Sequence, residues 1–215
     1  PQISAEEYDL AISFLTPHYY VAEKCRAKKK IAWIHTDYSY IDVDTVSELA
    51  MWSAYDRIAS ISDDVSTAFT RKFPSLSDRL IRVDNIISPD GIRKCAAAKD
   101  VSGEMDGKIK LLSCGRFCEA KNFDSIPEIA RHLVDLGNDI KWYIIGFGGG
   151  EELIRAKIGI HGIENRVIIL GKRADPYPYM NACDVYVQPS RYEGKAVAVR
   201  EAQILGKPVV ITDYP

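Results

Sequence analysis

Alternating apolar runs and helix-like stretches constrain this 215-residue chain most strongly. In the second half, "KIKLLSCG", "KWYIIG", "RVIILG", "DVYVQPS" and "PVVITD" predict five strands, with a helix-like segment between each neighbouring pair. Runs without polar alternation, such as "IAWI" at 31–34, are typical of parallel strands that are buried on both faces. The pattern therefore predicts an α/β fold built on parallel sheets.

The first half carries a similar but shorter succession. Strands are predicted at "YDLAISFLTP", "KKIAWIHTD", "RIASIS" and "RLIRVDNII", and helices at "DTVSELAMWSAYD" and "DDVSTAFTRKF". A stretch rich in Pro and Gly, poor in large apolar residues, separates the two successions. We therefore predict two Rossmann-like, doubly wound domains. The predicted division is a partial first domain at 1–92, a linker at 93–107 and a second domain at 108–215.

The first residue is Pro1 rather than Met, and the first succession begins in mid-pattern. The second succession ends on a predicted strand without a closing helix. We expect both ends to be truncated, and the second domain to be incomplete at its C-terminus. On this expectation, the fragment alone transfers nothing.

Composition excludes several classes of protein. The formal net charge of -2 argues against a nucleic-acid binder, which normally has a basic excess. Five irregularly spaced cysteines without a CxxC pair indicate a reduced cytoplasmic compartment. No apolar run approaches the roughly 18 residues that a membrane span requires.

Cations and a helix start follow the first strand of the second domain. In open α/β sheets, ligands bind beyond the carboxyl ends of the strands. There Gly115 lets a backbone approach closely, Arg116 and Lys121 supply positive charge, and a helix begins near Asp124 or Ser125. This combination predicts a diphosphate site that needs no metal. The alternative is a pair of solvated surface cations near a helix cap.

The glycine-rich turn "GFGGGEE" follows the next strand. It resembles a dinucleotide-binding turn, but Glu151 stands where the third fingerprint glycine belongs, and the expected ribose-binding acid is missing. We therefore predict no NAD site. Gly146 and its neighbours still allow a backbone to approach a nucleotide.

The segment "SRYEGKAVAVREAQ" carries two glutamates. Glu193 is predicted in a loop, and Glu201 about two turns into the following helix, roughly 9 Å further along. That spacing disfavours action on one bond and favours two contacts with an elongated, polyhydroxylated ligand whose middle is anionic. The alternative is a helix-start acid plus an exposed glutamate. Free amides at the helix start are expected at Gly194, Lys195, Ala196 and Val197.

Taken together, "GRFCEAKN", "IIGFGGGEE", "VIILGK" and "PSRYEGKAVAVREAQILGKPVVITD" resemble the donor-binding domain of retaining family 4 glycosyltransferases with the GT-B fold. Glu193 and Glu201 match the E-x7-E motif of that family. The resemblance is close over about 108–215 and looser over the first half.

The resemblance implies a role for each matching residue. Arg116 and Lys121 would bind the donor diphosphate, and Glu201 the ribose hydroxyls of the nucleotide. Glu193 would hold the donor sugar near the reacting carbon. The amides after Gly194 would bind sugar hydroxyls and phosphate.

Two further segments fit the same resemblance. The loop of Gly171, Lys172 and Arg173 matches the loop that cradles the base. "IAWIHTDYS" resembles the first-domain strand whose histidine faces the donor sugar, so His35 inherits that catalytic role. A histidine at a strand end is otherwise a structural residue.

Two remaining patterns concern metal and membrane contact. Asp42 and Asp44 form a DxD pattern, but the following "TVSE" is a capping-box pattern, so both are interpreted as helix-start residues and no metal site is predicted. A basic cluster could contact anionic lipid, or be a solvated turn. Its members are Lys24, Arg26, Lys28, Lys29 and Lys30.

The sequence thus predicts a metal-independent, retaining glycosyltransferase of the hexosyltransferase type without a cofactor. Its donor would be a nucleotide-diphosphate sugar and its acceptor a saccharide or a lipid-linked molecule, as in polysaccharide biosynthesis. We expect a cytoplasmic location, with peripheral contact at the inner face of the membrane, and no nucleic-acid partner. The alternatives are a GT-B sugar-nucleotide epimerase, a non-catalytic nucleotide-sugar-binding domain and, with less support, a Rossmann oxidoreductase.

Overall fold

The computed structural model describes residues 6–193 and 196–213. The chain divides into two compact units, Pro1–Ile86 and Ile87–Pro215, and each contains one parallel sheet. The division falls a few residues before the predicted end of the first domain at 92. The functional labels of the two domains stay predictions.

Unit 1 is a four-stranded parallel sheet whose strands lie side by side in chain order. All four predicted strands and both predicted helices are confirmed. The strands are β1 (Tyr8–Ser13), β2 (Ala27–Ile34), β3 (Arg57–Ser60) and β4 (Leu80–Arg82). The helices are α1 (Tyr19–Lys24), α2 (Thr45–Ser53) and α3 (Asp63–Lys72).

The sequence does not predict α1. This helix has six residues, none of them fully buried, so it is too short to show a helical period. Val21 and Ala22 are half-buried and pack against the core of unit 1. Helix α1 therefore depends on tertiary packing rather than on its own sequence pattern.

One face of the unit 1 sheet carries the core. Ala32 and Ile34 of β2 are buried there and pack in one cluster with Trp52 of α2. Right-handed crossovers that always step in the same direction place their helices on one face of a sheet. On β1, Leu10 and Ile12 are each 48% exposed, as expected for side chains on the other face of an edge strand.

His18 is buried beside this core. Its Nδ1 lies 2.9 Å from the hydroxyl of Ser13, and its ring centroid lies 4.8 Å from that of Trp52. The hydroxyl of Tyr55 donates to the carbonyl of His18. Burial, with a smaller contribution from the nearby charge of His35, lowers the pKa of His18 to about 4.

Unit 2 is a five-stranded parallel sheet, with all five predicted strands confirmed. The order β7-β6-β5-β8-β9 shows that the chain steps from β5 toward one edge and then returns toward the other. The carboxyl ends of β5 and β8 therefore flank the point where strand order reverses, which is the usual ligand crevice of such sheets. The strands are β5 (Ile109–Arg116), β6 (Ile140–Phe147), β7 (Val167–Gly171), β8 (Val185–Gln188) and β9 (Val209–Ile211).

Helices cover both faces of this sheet, and β6 shows why. Trp142 and Ile144 belong to one buried cluster, and Tyr143 and Ile145 to the other. Because successive side chains of a strand point to opposite faces, the run "WYII" fills two cores at once. The helices are α4 (Pro89–Ala96), α5 (Ile126–Asp135), α6 (Glu151–His161), α7 (Tyr177–Ala182) and α8 (Val197–Ile204).

The predicted linker differs from the structure at its start. Residues 93–96 lie in α4, which packs against α7 and α8. The hydroxyl of Ser88 caps α4 by accepting from the amide of Gly91, and Pro89 occupies the first turn. This Ser-Pro start signal outweighs the glycine that suggested a loop. Val101, within the predicted linker, is also buried in the unit 2 core.

Glycines let the loop after β6 pack directly on the backbone after β5. A Cβ on Gly146 would lie 1.9 Å from the carbonyl oxygen of Gly115, and one on Gly148 would lie 2.6 Å from the carbonyl oxygen of Phe117. The amide of Gly150 donates to the same Phe117 oxygen at 3.0 Å. The turn "GFGGG" therefore needs glycine at 146 and 148 because the backbone of Gly115 and Phe117 packs against it, whether or not a ligand is bound.

We predict that Gly146→Ala strongly destabilises unit 2. The added methyl cannot occupy a position 1.9 Å from a backbone oxygen, so two strands must separate locally. We expect a loss of roughly 3 kcal/mol in the free energy of unfolding, measured by urea denaturation. Gly149→Ala, where an added Cβ meets nothing within 4 Å, is the matched control. Equal stability of the two variants would contradict this explanation.

We also predict that His18 makes the chain less stable in acid. Between pH 6.5 and about 4 the unfolded chain binds more protons at His18 than the folded chain, so stability falls as pH falls through this window. The loss attributable to His18 should approach roughly 3 kcal/mol at the acid end. Urea denaturation at several pH values should show a weaker pH dependence for His18→Gln than for the wild type. The exposed His132→Gln should follow the wild type; the same pH dependence in both variants would refute the prediction.

Candidate functional site

The site is built on the neighbouring carboxyl ends of β5 and β8. Strand β5 leads into a 3-10 turn, Glu119–Lys121, and β8 leads into the loop that carries Glu193. Because β5 and β8 are paired in parallel, both loops emerge at the same edge of the sheet. This topology brings together residues that are far apart in the sequence.

Lys121 and Glu193 form a direct ion pair. The Nζ of Lys121 lies 2.6 Å from Oε1 and 2.8 Å from Oε2 of Glu193. The Glu193 side chain is 8% exposed and that of Lys121 is 24% exposed, so water screens this pair only partly. The sequence predicts that both residues contact one ligand, and the structure also places them in contact with each other.

Two buried side chains add further hydrogen bonds to Glu193. The hydroxyl of Ser190 donates to Oε1 at 2.6 Å, and the amide Nε2 of Gln188 donates to the same oxygen at 3.0 Å. Gln188 and Ser190 are each 1% exposed. Neither residue is predicted from the sequence, although a glutamine and a serine after the apolar run "VYV" are a signal of a buried polar site.

Tyr186 connects this network to β5. Its hydroxyl lies 2.7 Å from Oε1 of Gln188, and the backbone amide of Cys114 lies 3.4 Å from the same hydroxyl. Burial, with a contribution from Cys114, raises the pKa of Tyr186. The phenol therefore remains a hydrogen-bond donor to the glutamine.

The two loops are also tied together through Arg191. Its backbone amide donates to the carbonyl of Ala120 at 2.8 Å, and its guanidinium donates to the carbonyl of Glu119 at 2.6 Å. The guanidinium also lies 3.5 Å from Asp124, which pairs with Lys157 of α6 at 2.9 Å. These contacts fix the loop after β8 against the turn that carries the lysine of the ion pair.

Glu201 lies on α8 and has a different partner. The hydroxyl of Tyr177, on α7, donates to its Oε1 at 2.8 Å. Burial and this contact with a carboxylate raise the pKa of Tyr177 to about 12. Tyr177 is likewise not predicted as a site residue, because nothing in the sequence shows that α7 and α8 contact each other.

Arg173 is bound by its own chain. Its Nε donates to the hydroxyl of Tyr179 at 2.9 Å, and its Nη2 lies 3.2 Å from Glu104. Hydrogen bonds from Lys99 and then Tyr179 lower the pKa of Glu104 to about 2. A base-binding role for Arg173 stays a prediction.

The other residues predicted after β5 and β6 lie at the same sheet edge. Arg116 ends β5 and is exposed. Gly115 and Gly146 face each other in the pairing of β5 with β6, so their close approach is explained by the sheet itself. Donor contacts of these three residues stay predictions.

The predicted amide cluster is only partly described. Ala196 precedes α8 as its cap residue, without a side-chain cap, and Val197 is the first helical residue. Gly194 and Lys195 lie outside the described residues. The predicted helix start near Lys195 is thus placed two residues later, at Val197.

His35 belongs to unit 1 and directly follows β2. Its ring centroid lies 4.6 Å from that of Phe14, and its Nε2 is buried without a hydrogen-bond partner among the described residues. Burial lowers the pKa of His35, although a hydrogen bond with the backbone of Phe14 opposes this effect. Its predicted catalytic role stays a prediction.

One aspartate of the DxD pattern, Asp44, has a structural role, whereas the interpretation of Asp42 stays a prediction. Asp44 caps α2, with its carboxylate accepting from the amide of Val46 at 3.1 Å and from the hydroxyl of Ser47 at 2.5 Å. No group of three or more His, Cys, Asp or Glu side chains with metal-binding geometry occurs among residues 6–193 and 196–213. The interpretation of Asp44 as a helix-start residue is confirmed.

Several lysines of the basic cluster have partners on neighbouring strands and loops. Lys28 lies 2.8 Å from Asp9, and Lys29 lies 3.1 Å from Asp56. The Nζ of Lys30 donates to the carbonyl of Ala22 at 2.7 Å. Within the part of the chain that the structure describes, no helix has the length and apolarity to span a bilayer.

The site lies in the part of the chain that matches a known protein family. Residues 96–215, more than half of the chain, match the family model described as Glycosyl transferases group 1. The chain is 30% identical over 98 residues to a poly(ribitol-phosphate) alpha-N-acetylglucosaminyltransferase of Staphylococcus aureus, covering 46% of this chain and 20% of that protein. It is 26% identical over 174 residues to the O-antigen biosynthesis glycosyltransferase WclY of Escherichia coli, covering 77% of this chain and 46% of WclY.

A solved structure shows the same fold. The crystal structure of Anabaena HepE with UDP and glucose superposes with a TM-score of 0.77 at 18% identity, over 96% of this chain and 60% of that one. The structural neighbours are GT-B proteins, so the predicted GT-B fold class is confirmed. The chain spans less than half of the length of the two sequence relatives above.

We predict that the contributions of Lys121 and Glu193 to stability are strongly coupled. Lys121→Met leaves a carboxylate that is 8% exposed without its charge partner, so the free energy of unfolding should fall by about 2 kcal/mol. In a Glu193→Gln background the same change should cost about 1 kcal/mol less. Urea denaturation of the wild type, the two single variants and the double variant measures this coupling.

Lys141→Met provides a matched control. Lys141 is 25% exposed and pairs at 2.6 Å with Asp106, which is 76% exposed, so its loss should cost well under 1 kcal/mol. Additive effects of the substitutions at Lys121 and Glu193 would show that the pair has no energetic role.

Proposed function

The chain belongs to the Glycosyl transferases group 1 family, and from that premise we propose that it is the donor-binding part of a retaining glycosyltransferase of family 4. The enzyme moves a hexose from a nucleotide-diphosphate sugar to a saccharide or lipid-linked acceptor. The observation that carries the proposal is the Lys121–Glu193 pair at the point where the strand order of unit 2 reverses.

The chemistry of this edge suits an elongated ligand with an anionic middle. Arg116 and Lys121 supply cationic donors for a diphosphate, together with the amides that begin α8. Carboxylates accept hydrogen bonds from sugar hydroxyls, so Glu193 holds the donor sugar and Glu201 the ribose. The exposed guanidinium of Arg116 and the largely buried carboxylate of Glu193 support this division between charge neutralisation and orientation.

The proposed reaction depends on stabilising the leaving diphosphate. As the bond between sugar and phosphate breaks, negative charge grows on the phosphate oxygens, and fixed cations stabilise that charge most strongly in the transition state. The acceptor hydroxyl attacks the face from which the phosphate leaves, and the departing phosphate takes its proton. Side-chain cations and helix-end amides supply the positive charge, so the proposal includes neither a metal nor a cofactor.

Two relatives support the retaining mechanism and the kind of donor. The name of the Staphylococcus aureus relative specifies an alpha linkage, which a retaining enzyme forms from an alpha-linked nucleotide sugar. HepE was crystallised with UDP and glucose, so UDP-hexoses are the first donors to test.

The acceptor and location extend the same proposal. The two sequence relatives are named for poly(ribitol-phosphate) and for O-antigen biosynthesis, which supports a surface-polymer or lipid-linked acceptor. We place the enzyme in the cytoplasm, in peripheral contact with the inner face of the membrane. The ion pairs of Lys28 and Lys29 with acidic residues reduce the net positive charge available for that contact.

The test uses the natural protein that contains this chain. Calorimetry against a panel of nucleotide-diphosphate sugars identifies the donor, and product analysis by NMR then identifies the anomer that is formed. Transfer with retained configuration supports the proposal. Rapid epimer formation with donor alone would favour an epimerase, and tight binding without hydrolysis or transfer would favour a non-catalytic binding domain.

We predict that the two glutamates fail differently. Glu193→Ala should lower kcat by about 100-fold or more with little change in nucleotide affinity, because a contact with the reacting sugar is lost. Glu201→Ala should weaken nucleotide binding by about 10-fold, because the ribose hydroxyls lose their acceptor. Steady-state kinetics and calorimetry with the nucleoside diphosphate separate the two effects. The reverse pattern would overturn both assignments.

A further inference from the structure

The two oxygens of the Glu193 carboxylate have unequal surroundings. Oε1 accepts from three side chains, namely Lys121 at 2.6 Å, Ser190 at 2.6 Å and Gln188 at 3.0 Å. Among the described residues, Oε2 accepts only from Lys121, at 2.8 Å. An ionised carboxylate has about four acceptor positions, two on each oxygen. Oε1 is therefore saturated by the protein, whereas Oε2 has an acceptor position that no described residue fills.

Two of the donors to Oε1 of Glu193, Gln188 and Ser190, belong to a chain of hydrogen bonds that all run toward the carboxylate. The amide of Cys114 donates to the hydroxyl of Tyr186 at 3.4 Å. The single hydrogen of that hydroxyl has two acceptors within reach, Oε1 of Gln188 at 2.7 Å and the carbonyl of Cys114 at 3.3 Å, and it is assigned to the nearer one. The Gln188 amide then donates to Ser190 at 2.8 Å and to the carboxylate. The phenol can satisfy Oε1 of Gln188 only if the amide nitrogen faces Ser190, so the orientation of the glutamine follows from the network. Each bond polarises the next toward the carboxylate.

The network is sealed from water and fixed at both ends. Tyr186, Gln188 and Ser190 are 0%, 1% and 1% exposed. The carbonyl of Ser190 also accepts a hydrogen bond from the hydroxyl of Thr212, just beyond β9. The network thus holds the Glu193 side chain in one orientation, because rotating its carboxylate would leave buried donors unpaired, which costs free energy.

We propose that Gln188 and Ser190 are positioning residues that fix Oε1 of Glu193 and so present Oε2 to a hydroxyl of the donor sugar. This role rests on the proposed function, since it specifies how the glutamate is aimed at the sugar. The sugar hydroxyl donates to Oε2, and neither Gln188 nor Ser190 touches the donor. Loss of either residue frees the carboxylate to rotate, so the sugar is bound in a wrong orientation while the nucleotide is bound as before.

The test compares Ser190→Ala with Gln188→Met in the natural protein. Each removes donors to Oε1 while keeping the approximate size of the side chain. We expect kcat to fall about 10- to 100-fold, the range for a lost hydrogen bond to a charged group. Affinity for the nucleoside diphosphate alone, measured by calorimetry, should change less than about twofold. Ser190→Thr retains the hydroxyl and should recover part of the lost kcat.

Ser113→Ala is the matched control. Ser113 is fully buried on the adjacent strand, accepts from Trp142 at 3.0 Å and donates to the carbonyl of Val187 at 2.6 Å, but has no contact with Glu193. This variant should lose stability while its kcat stays within about twofold of the wild type. A similar kcat loss in Ser113→Ala and Ser190→Ala would show a merely structural effect and overturn the proposal.

A double variant tests whether the two residues act through Glu193. The ratio of nucleotide-sugar affinity to nucleoside-diphosphate affinity should fall in Ser190→Ala, but not further in Ser190→Ala/Glu193→Ala than in Glu193→Ala alone. An additional fall in the double variant, or an unchanged kcat in Ser190→Ala, would refute the positioning role alone. If the wild-type protein transfers no sugar from any of the nucleotide sugars tested, the proposed function is refuted, and the positioning role with it.

Discussion

A carboxylate that is 8% exposed is costly to bury unless donors surround it, and that requirement organises the candidate site. Glu193 finds its donors on two strand ends, with Lys121 after β5 and with Gln188 and Ser190 at the end of β8. These elements can converge only because β5 and β8 are parallel neighbours where the strand order reverses. The polar contacts thus depend on the sheet order, and the loop backbone after β8 is held by the same contacts.

Much of the fold is predictable because each strand carries its own hydrophobic signal. In β6, Trp142 and Tyr143 point into opposite cores, so four consecutive apolar residues predict a strand covered on both faces. Elements stabilised by distant packing carry no such local signal. Helix α1 is too short to show a period, and Gly91 masks the pattern of α4, although Ser88 and Pro89 form a start signal. In α4 the local cap outweighs the local breaker.

The candidate site is predictable only to the level of the sheet edge. The strand ends predict that Arg116, Lys121 and Glu193 lie at the same edge of the sheet, since the carboxyl ends of parallel strands share one edge. The direct ion pair between Lys121 and Glu193 depends on rotamers and loop geometry, which the sequence does not encode locally. The same holds for Tyr177 against Glu201, because side chains on α7 and α8 meet only in the folded chain. For the glycines, the sequence predicts the close contact but not the group that makes it. Gly146 predicts a close approach, but the nearest group is the carbonyl of Gly115.

Lys121 can serve both the carboxylate and a diphosphate, which reconciles its observed pair with its proposed role. An ammonium group has three N–H donors, and the two distances to Glu193 account for two of them. The third can reach a phosphate oxygen without breaking the pair, because the lysine side chain is still 24% exposed. Under the proposed function, the ammonium then links the charge of the leaving group to the carboxylate that orients the sugar. A nucleotide sugar that binds in a wrong position and displaces the lysine would disturb its contacts with the diphosphate and with Glu193 at once. The ion pair therefore favours nucleotide sugars whose sugar and diphosphate both fit the site.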